Sequence, residues 1–205
     1  MPSIFLLTTE IEGVSVLNKI FGNITDLSKF FIKQVVCPED NVIDATAGNG
    51  HDTIFLAKLL SNKGKVFSFD IQKQAIEKTK EKLESQNLSH KVSLLHTGHQ
   101  EITKHVKEKI SAAMFNLGYL PGGNHSITTR GSTTISAIKQ SMCLLKPGGI
   151  VSICVYHGHP EGKEELEEIL AYTKSIDYKN FNVLKIEPHN KKNCPPILII
   201  IEKKS

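Results

Sequence analysis

The chain has only four cysteines, Cys37, Cys143, Cys154 and Cys194, and none pairs in a CxxC spacing. That scatter offers no zinc-type ligand set and fits a reducing, cytoplasmic setting. Cys143 and Cys154 lie in apolar runs and are expected as core thiols. No apolar stretch is long enough to span a bilayer, so no membrane partner is expected. Residues 1–10 lack both a basic start and a long apolar stretch, which argues against a secretory leader. Repeats, low-complexity tracts and obvious linkers are also missing. What remains is a 205-residue chain, 40% hydrophobic and 22% charged, with a net charge of +4. This is the balance of a globular protein, and residues 1–205 are expected to form a single domain. The mild positive charge permits an RNA partner without requiring one.

Apolar positions at helical spacing mark an N-terminal helical segment within residues 1–38, broken near Gly22 and Asn23, with Thr25 or Asp26 capping its second half. Beyond it, strands and helices alternate. Strands are expected at 41–46, 65–70, 91–96, 110–116, 149–155, 181–187 and 197–202. Helices are expected at 51–60, 72–87, 100–107, 132–145 and 161–175. Such alternation predicts an α/β fold with a seven-stranded, mostly parallel sheet and helices on both faces. The last two strands have no helix between them and should close the sheet as an antiparallel hairpin.

The most informative stretch is Asp44-Ala-Thr-Ala-Gly48-Asn49-Gly50-His-Asp52-Thr53. It reads as a strand end, a glycine turn and a helix start. Gly48 and Gly50 allow close backbone approach to a ligand. A phosphate would suit the positive helix end, but Asp44 and Asp52 crowd it with negative charge. Two carboxylates favour a cofactor bearing an ammonium or sulfonium. The full GxGxxG pattern and the Walker lysine are absent. The next strand ends at Asp70, about twenty residues beyond the glycine turn, where an acid takes ribose hydroxyls. Gln72 follows, and Gly98 and His99 form a polar loop after the third strand, where an adenine edge can be read. These features resemble class I S-adenosylmethionine-dependent methyltransferases, and a helix cap or solvated turn is the plain alternative for each aspartate alone.

The fourth strand runs into Asn116-Leu-Gly-Tyr119, which keeps the first and fourth positions of the Asn/Asp-Pro-Pro-Tyr/Phe loop of amine methyltransferases. An amide oxygen at Asn116 can orient an amine, and the Tyr119 ring can hold a base or a developing cation. His157, after the fifth strand, is the candidate proton acceptor or substrate-orienting group, with water as the other candidate base. His125, Arg130 and His159 are candidate substrate or RNA contacts, with solvated loop residues as the plain alternative. His157 and His159 lack the supporting ligands of a metal site, and none is expected.

Asp44 to Thr53, Asn116 to Gly123, Thr128-Thr-Arg130 and Tyr156-His-Gly-His-Pro-Glu-Gly162 together resemble a small bacterial family long called rRNA methylases, the YtqB-like or MnmM proteins. The resemblance runs from about Val14 to the end. It implies N-methylation of 5-aminomethyl-2-thiouridine at the tRNA wobble position, in the anticodon region, with S-adenosylmethionine as donor. It also carries cofactor contacts onto Asp44, Gly48, Asn49, Gly50, Asp52, Thr53, Asp70 and Gln72. Catalytic roles at Asn116, Tyr119 and His157 follow from it less directly. Alternatives are methylation of rRNA, methylation of a small-molecule amine, and a non-catalytic RNA-binding role on the same scaffold. Lys29, Lys33, Arg130, Lys139 and the Lys191-Lys192 pair are candidates for a basic surface. A subunit this small offers little surface to a whole tRNA, so a homodimer is expected.

Overall fold

The computed structural model of the chain describes residues 23–118, 129–158 and 160–205. Helix α1 (Ile24–Val35) leads into strand β1 (Asn41–Asp44), helix α2 (His51–Leu59), strand β2 (Lys65–Asp70) and helix α3 (Lys73–Ser85). Strand β3 (Val92–His96), the single turn α4 (Ile102–His105) and strand β4 (Ile110–Leu117) follow. Helix α5 (Gly131–Leu144), strand β5 (Leu145–Val155), helix α6 (Pro160–Lys174) and strands β6 (Phe181–Ile186) and β7 (Ile197–Lys203) complete the order.

The sheet runs β3-β2-β1-β4-β5-β7-β6. β1 to β5 pair in parallel, and β7 is antiparallel to both β5 and β6. The chain therefore moves outward from β1 to β3, then returns to the other side of β1 as β4. The loops leaving β1 and β4 diverge, which opens a crevice beyond their carboxyl ends.

Strand side chains alternate between two cores, as period-two geometry demands. Ile43, Ala113, Phe115, Val151 and Ile199 face the core under α5 and α6. Val42, Ala112, Met114, Ile150 and Leu198 face the core under α1, α2 and α3. β1 reads as a nearly continuous apolar run because it is covered on both faces. A buried hydroxyl pair, Ser28 Oγ to Ser152 Oγ at 2.6 Å, fixes how α1 crosses β5.

Several local expectations are corrected. α1 is capped by Asn23, whose side chain accepts from the Thr25 amide at 3.1 Å, so neither Thr25 nor Asp26 is the cap. The helix expected upstream of it lies outside the described residues. Cys154 is buried but Cys143 is exposed, because the last turn of α5 directs it away from the sheet. β5 begins at Leu145 rather than 149. Leu145 pairs with Ile110, the Lys-Pro-Gly-Gly turn of residues 146–149 bulges out at the register shift between Ile110 and Ala112, and regular pairing resumes at Ile150 opposite Ala112. Among the described residues no helix is long and apolar enough to cross a membrane.

Candidate active site

The crevice is built around the β1–α2 turn. Gly48 and Gly50 both adopt positive φ, at 51° and 79°. A Cβ on Gly50 would lie 2.9 Å from Thr79 Oγ1 on α3. The Thr79 hydroxyl also donates to Gly48 O at 3.2 Å, and Lys82 Nζ donates to Asn49 O at 2.7 Å. α3 thus supports the turn from below. Gly50→Ala is expected to cost about 1–2 kcal/mol from the left-handed backbone alone, with the Thr79 contact adding to it. Thermal unfolding measures the loss, and cofactor affinity should fall with it.

Asp70, at the tip of β2, accepts the Gly48 amide at 2.8 Å and the Gln72 amide at 2.8 Å. Its side chain thereby ties the β1 turn to the start of α3. Burial raises its pKa despite those two donors. Asp44 lies deeper and is only 1% exposed. Its carboxylate accepts from Thr53 Oγ1 at 2.6 Å and from the Thr46 amide at 3.1 Å. Burial first, and the nearby Asp52 charge second, push its pKa up to about 7.

Asp52, in the first turn of α2, makes two contacts. One oxygen is 3.0 Å from Lys29 Nζ of α1. The other accepts a hydrogen bond from Asn116 Nδ2. The Asn116 backbone amide donates to Thr46 Oγ1 at 2.8 Å, which joins the tips of β1 and β4. Asn116 Oδ1 is buried with no hydrogen-bond partner among the described residues.

His99 is turned inward. Its Nδ1 lies 3.2 Å from Ala45 O, and its ring is 5.9 Å from that of Phe115. A carbonyl only accepts, so Nδ1 carries the proton, and burial lowers the pKa to keep the ring neutral. His157 is half-buried, and its Nδ1 is buried with no partner among the described residues. Arg130 is exposed at the start of α5. Tyr119, His125 and His159 lie outside the described residues.

Three neighbours of the site were not singled out as site residues by the sequence. Glu165 of α6 is 3% exposed. It accepts from Thr129 Oγ1 at 2.5 Å and Thr134 Oγ1 at 2.7 Å. Thr129 Oγ1 in turn accepts the Gly118 amide at 3.1 Å, so this carboxylate anchors both ends of the segment after β4. Its signal was an acid within the buried stripe of α6, beside Leu166 and Ile169. Tyr156 follows β5 and packs against the acceptor turn, since a Cβ on Gly118 would lie 3.4 Å from Tyr156 Cβ. Burial raises its phenol pKa to about 12, and the residue as a whole remains 40% exposed. Lys29, expected on a basic surface, is instead paired inside the site.

These residues fit a sulfonium nucleoside. The turn admits backbone approach, Asp70 sets at the tip of β2 a carboxylate that suits ribose hydroxyls, and Asp52, Asp70 and, once ionised, Asp44 supply negative charge. Among the described residues no histidine, cysteine and carboxylate cluster is placed to hold a metal ion. The sheet order, the glycine turn and the acid at the tip of β2 define a class I S-adenosylmethionine-dependent methyltransferase.

Residues 66–202 match the family described as "Putative rRNA methylase", and the chain belongs to that family. A relative in Arabidopsis thaliana, "tRNA (mnm(5)s(2)U34)-methyltransferase, chloroplastic", is 37% identical over 191 residues, 88% of this chain and 70% of the relative. A crystal structure from Clostridium thermocellum with the same family description is 48% identical, with a TM-score of 0.87, covering 88% of this chain and 97% of the other. A Streptococcus mutans methyltransferase structure in complex with SAH, S-adenosylhomocysteine, is 44% identical, with a TM-score of 0.80, covering 87% and 97%. The cofactor is S-adenosylmethionine.

The raised Asp44 pKa has a measurable consequence. Asp44 is protonated below about pH 7. Its neutral form favours the folded state; that stability is full below the ordinary carboxylate value and is lost as pH rises through the folded value. A sulfonium favours the ionised form, so S-adenosylmethionine should bind more tightly as pH rises through that value. S-adenosylhomocysteine lacks the sulfonium charge and should respond less. Calorimetry from about pH 6 to about pH 8 should therefore show the ratio of the two affinities rising severalfold. A flat ratio would exclude Asp44 as the responding group.

Proposed function

We propose that the chain methylates the primary amine of a 5-aminomethyl-2-thiouridine at the wobble position of tRNA. The observation that carries this is the Asn116 amide. Its nitrogen is engaged by Asp52, and its buried oxygen has no partner among the described residues. That oxygen is a fixed acceptor for an N–H of an incoming amine. The Arabidopsis relative, named for a wobble uridine of this type, supports the choice of amine.

Bound S-adenosylmethionine supplies an electrophilic methyl carbon on a sulfonium. Asp70 and the Gly48–Gly50 turn hold the nucleoside end. Asn116 Oδ1 accepts one N–H and aims the nitrogen lone pair along the axis of displacement, where positioning is the main protein contribution. The amine must arrive unprotonated. It takes the methyl as the carbon–sulfur bond breaks, leaving a neutral thioether. Its surplus proton passes to His157, whose buried Nδ1 has no partner among the described residues, or to water. Arg130, the only arginine in the sequence, is exposed at the edge of the same segment and suits a phosphate of the RNA. A cytoplasmic homodimer is part of this proposal, and gel filtration at micromolar concentration checks the assembly.

The family description favours a second acceptor, ribosomal RNA. Radiolabel transfer to three acceptors separates the readings: tRNA carrying the unmethylated amine, ribosomal RNA, and the free aminomethyl nucleoside. The proposal expects transfer to the tRNA at a rate well above the other two. Preference for either of the others overturns it.

A further inference from the structure

We infer that Lys29 is a positioning residue for methyl transfer: through Asp52 it sets which end of the Asn116 amide faces the acceptor nitrogen. The inference rests on the proposed amine chemistry for its kinetic part and on geometry for the rest.

An ionised carboxylate accepts hydrogen bonds and donates none. Asp52, paired with the Lys29 ammonium at 3.0 Å, therefore engages the NH2 end of Asn116. The amide oxygen is left pointing elsewhere, buried and without a partner among the described residues. The chain Lys29–Asp52–Asn116 joins α1, α2 and β4, so three separate elements fix one amide.

Lys29 is held for this task. Its Nζ lies 5.5 Å from the centre of the Phe55 ring, and its side chain is only 25% exposed. The buried Ser28–Ser152 hydroxyl pair seats the adjacent residue on β5. Asp44 and Asp70 already place carboxylates in this crevice. Without the ammonium, Asp52 has no counter-ion among the described residues, repulsion displaces it, and the amide loses its reference. A basic residue on α1 thereby acts on chemistry at the tip of β4 without touching the substrate.

The test uses the full chain with Lys29→Met, which keeps the apolar stem, and Lys29→Arg, which keeps the charge. On tRNA carrying the unmethylated amine, Lys29→Met should lower kcat about tenfold or more. The tRNA KM and the S-adenosylhomocysteine affinity should stay within about twofold. Lys29→Arg should recover most of the rate. In an Asn116→Ala background, Lys29→Met should cost nothing further, since both act through one unit.

A rise in tRNA KM with unchanged kcat and a shallower salt dependence would make Lys29 a phosphate contact and overturn the inference. Additive losses with Asn116→Ala would overturn it too. A second readout needs no turnover. In the S-adenosylhomocysteine complex, the Asn116 side-chain amide resonances should move in Lys29→Met and stay in place in Lys33→Met. Unmoved resonances in Lys29→Met reject the inference. If the wild-type chain methylates no tRNA, the proposed function fails while the resonances still decide the role of Lys29.

Discussion

Asn116→Ala is expected to lower kcat about a hundredfold, with little change in the affinity for S-adenosylhomocysteine. The proposed cofactor contacts, the β1 turn and Asp70, are left intact by this substitution. The Asn116 backbone amide keeps its bond to Thr46 Oγ1. What disappears is the buried acceptor oxygen proposed to receive the amine N–H. Asn116→Asp sharpens the result. It restores an acceptor oxygen and is the residue many amine methyltransferases carry at this position. Here, however, the neighbour is the Asp52 carboxylate. An aspartate at 116 cannot donate to it and would add a further charge to a crevice that already holds three acids. No rescue is therefore expected, and kcat should remain near the alanine value. Single-turnover kinetics with saturating cofactor reads the chemical step in both variants. A recovery in Asn116→Asp would mean that Asp52 does not set the amide.

Asp70→Ala has the second large effect, and it falls on binding. The carboxylate accepts two backbone amides, at Gly48 and Gln72, and is the proposed partner of the cofactor's ribose hydroxyls. Hydrogen bonds to a charged group contribute about 1.5–3 kcal/mol each, and an amide left unpaired costs about 1–3 kcal/mol. Loss of the ribose contacts together with a loosened turn should weaken both S-adenosylmethionine and S-adenosylhomocysteine about a hundredfold or more. The two ligands should suffer alike, because both carry the same ribose. That distinguishes Asp70 from Asp44, whose effect should favour the sulfonium. Calorimetry on the variant with each ligand measures the difference. Affinity within a few-fold of wild type for both would remove Asp70 from the cofactor site.

Much of the architecture was legible because burial on both faces leaves a plain trace. Val42-Ile43 and Ile197 to Ile201 are apolar runs too short for helices, and each was read as a strand. The turn after β1 was legible because positive φ demands glycine, and Gly48 and Gly50 both use it. Asp70 followed from its distance beyond that turn.

What stayed hidden depends on contacts far apart in sequence. Lys29 looks like one more solvated lysine until α1 crosses β5 and brings it to Asp52. Asp52 looked like a simple cofactor carboxylate, because its pairing with Asn116, 64 residues on, is a tertiary fact. His99 sits in the polar loop read as a place for an adenine edge, and the anchoring of its ring to Ala45 O, 54 residues away, is likewise a tertiary contact. Glu165 was the recoverable omission: an acid at a buried helical position implies a partner, and Thr129 and Thr134 supply it.

The destination of the methyl group is the most direct measure of the proposed chemistry. tRNA whose wobble uridine stops at the primary amine, incubated with the protein and S-adenosylmethionine deuterated in its methyl, should yield on digestion a single labelled nucleoside. Fragmentation should place the label on the exocyclic nitrogen of the wobble uridine. Label on a ring atom, on a ribose or at another tRNA position, or no label in the tRNA at all, would contradict it.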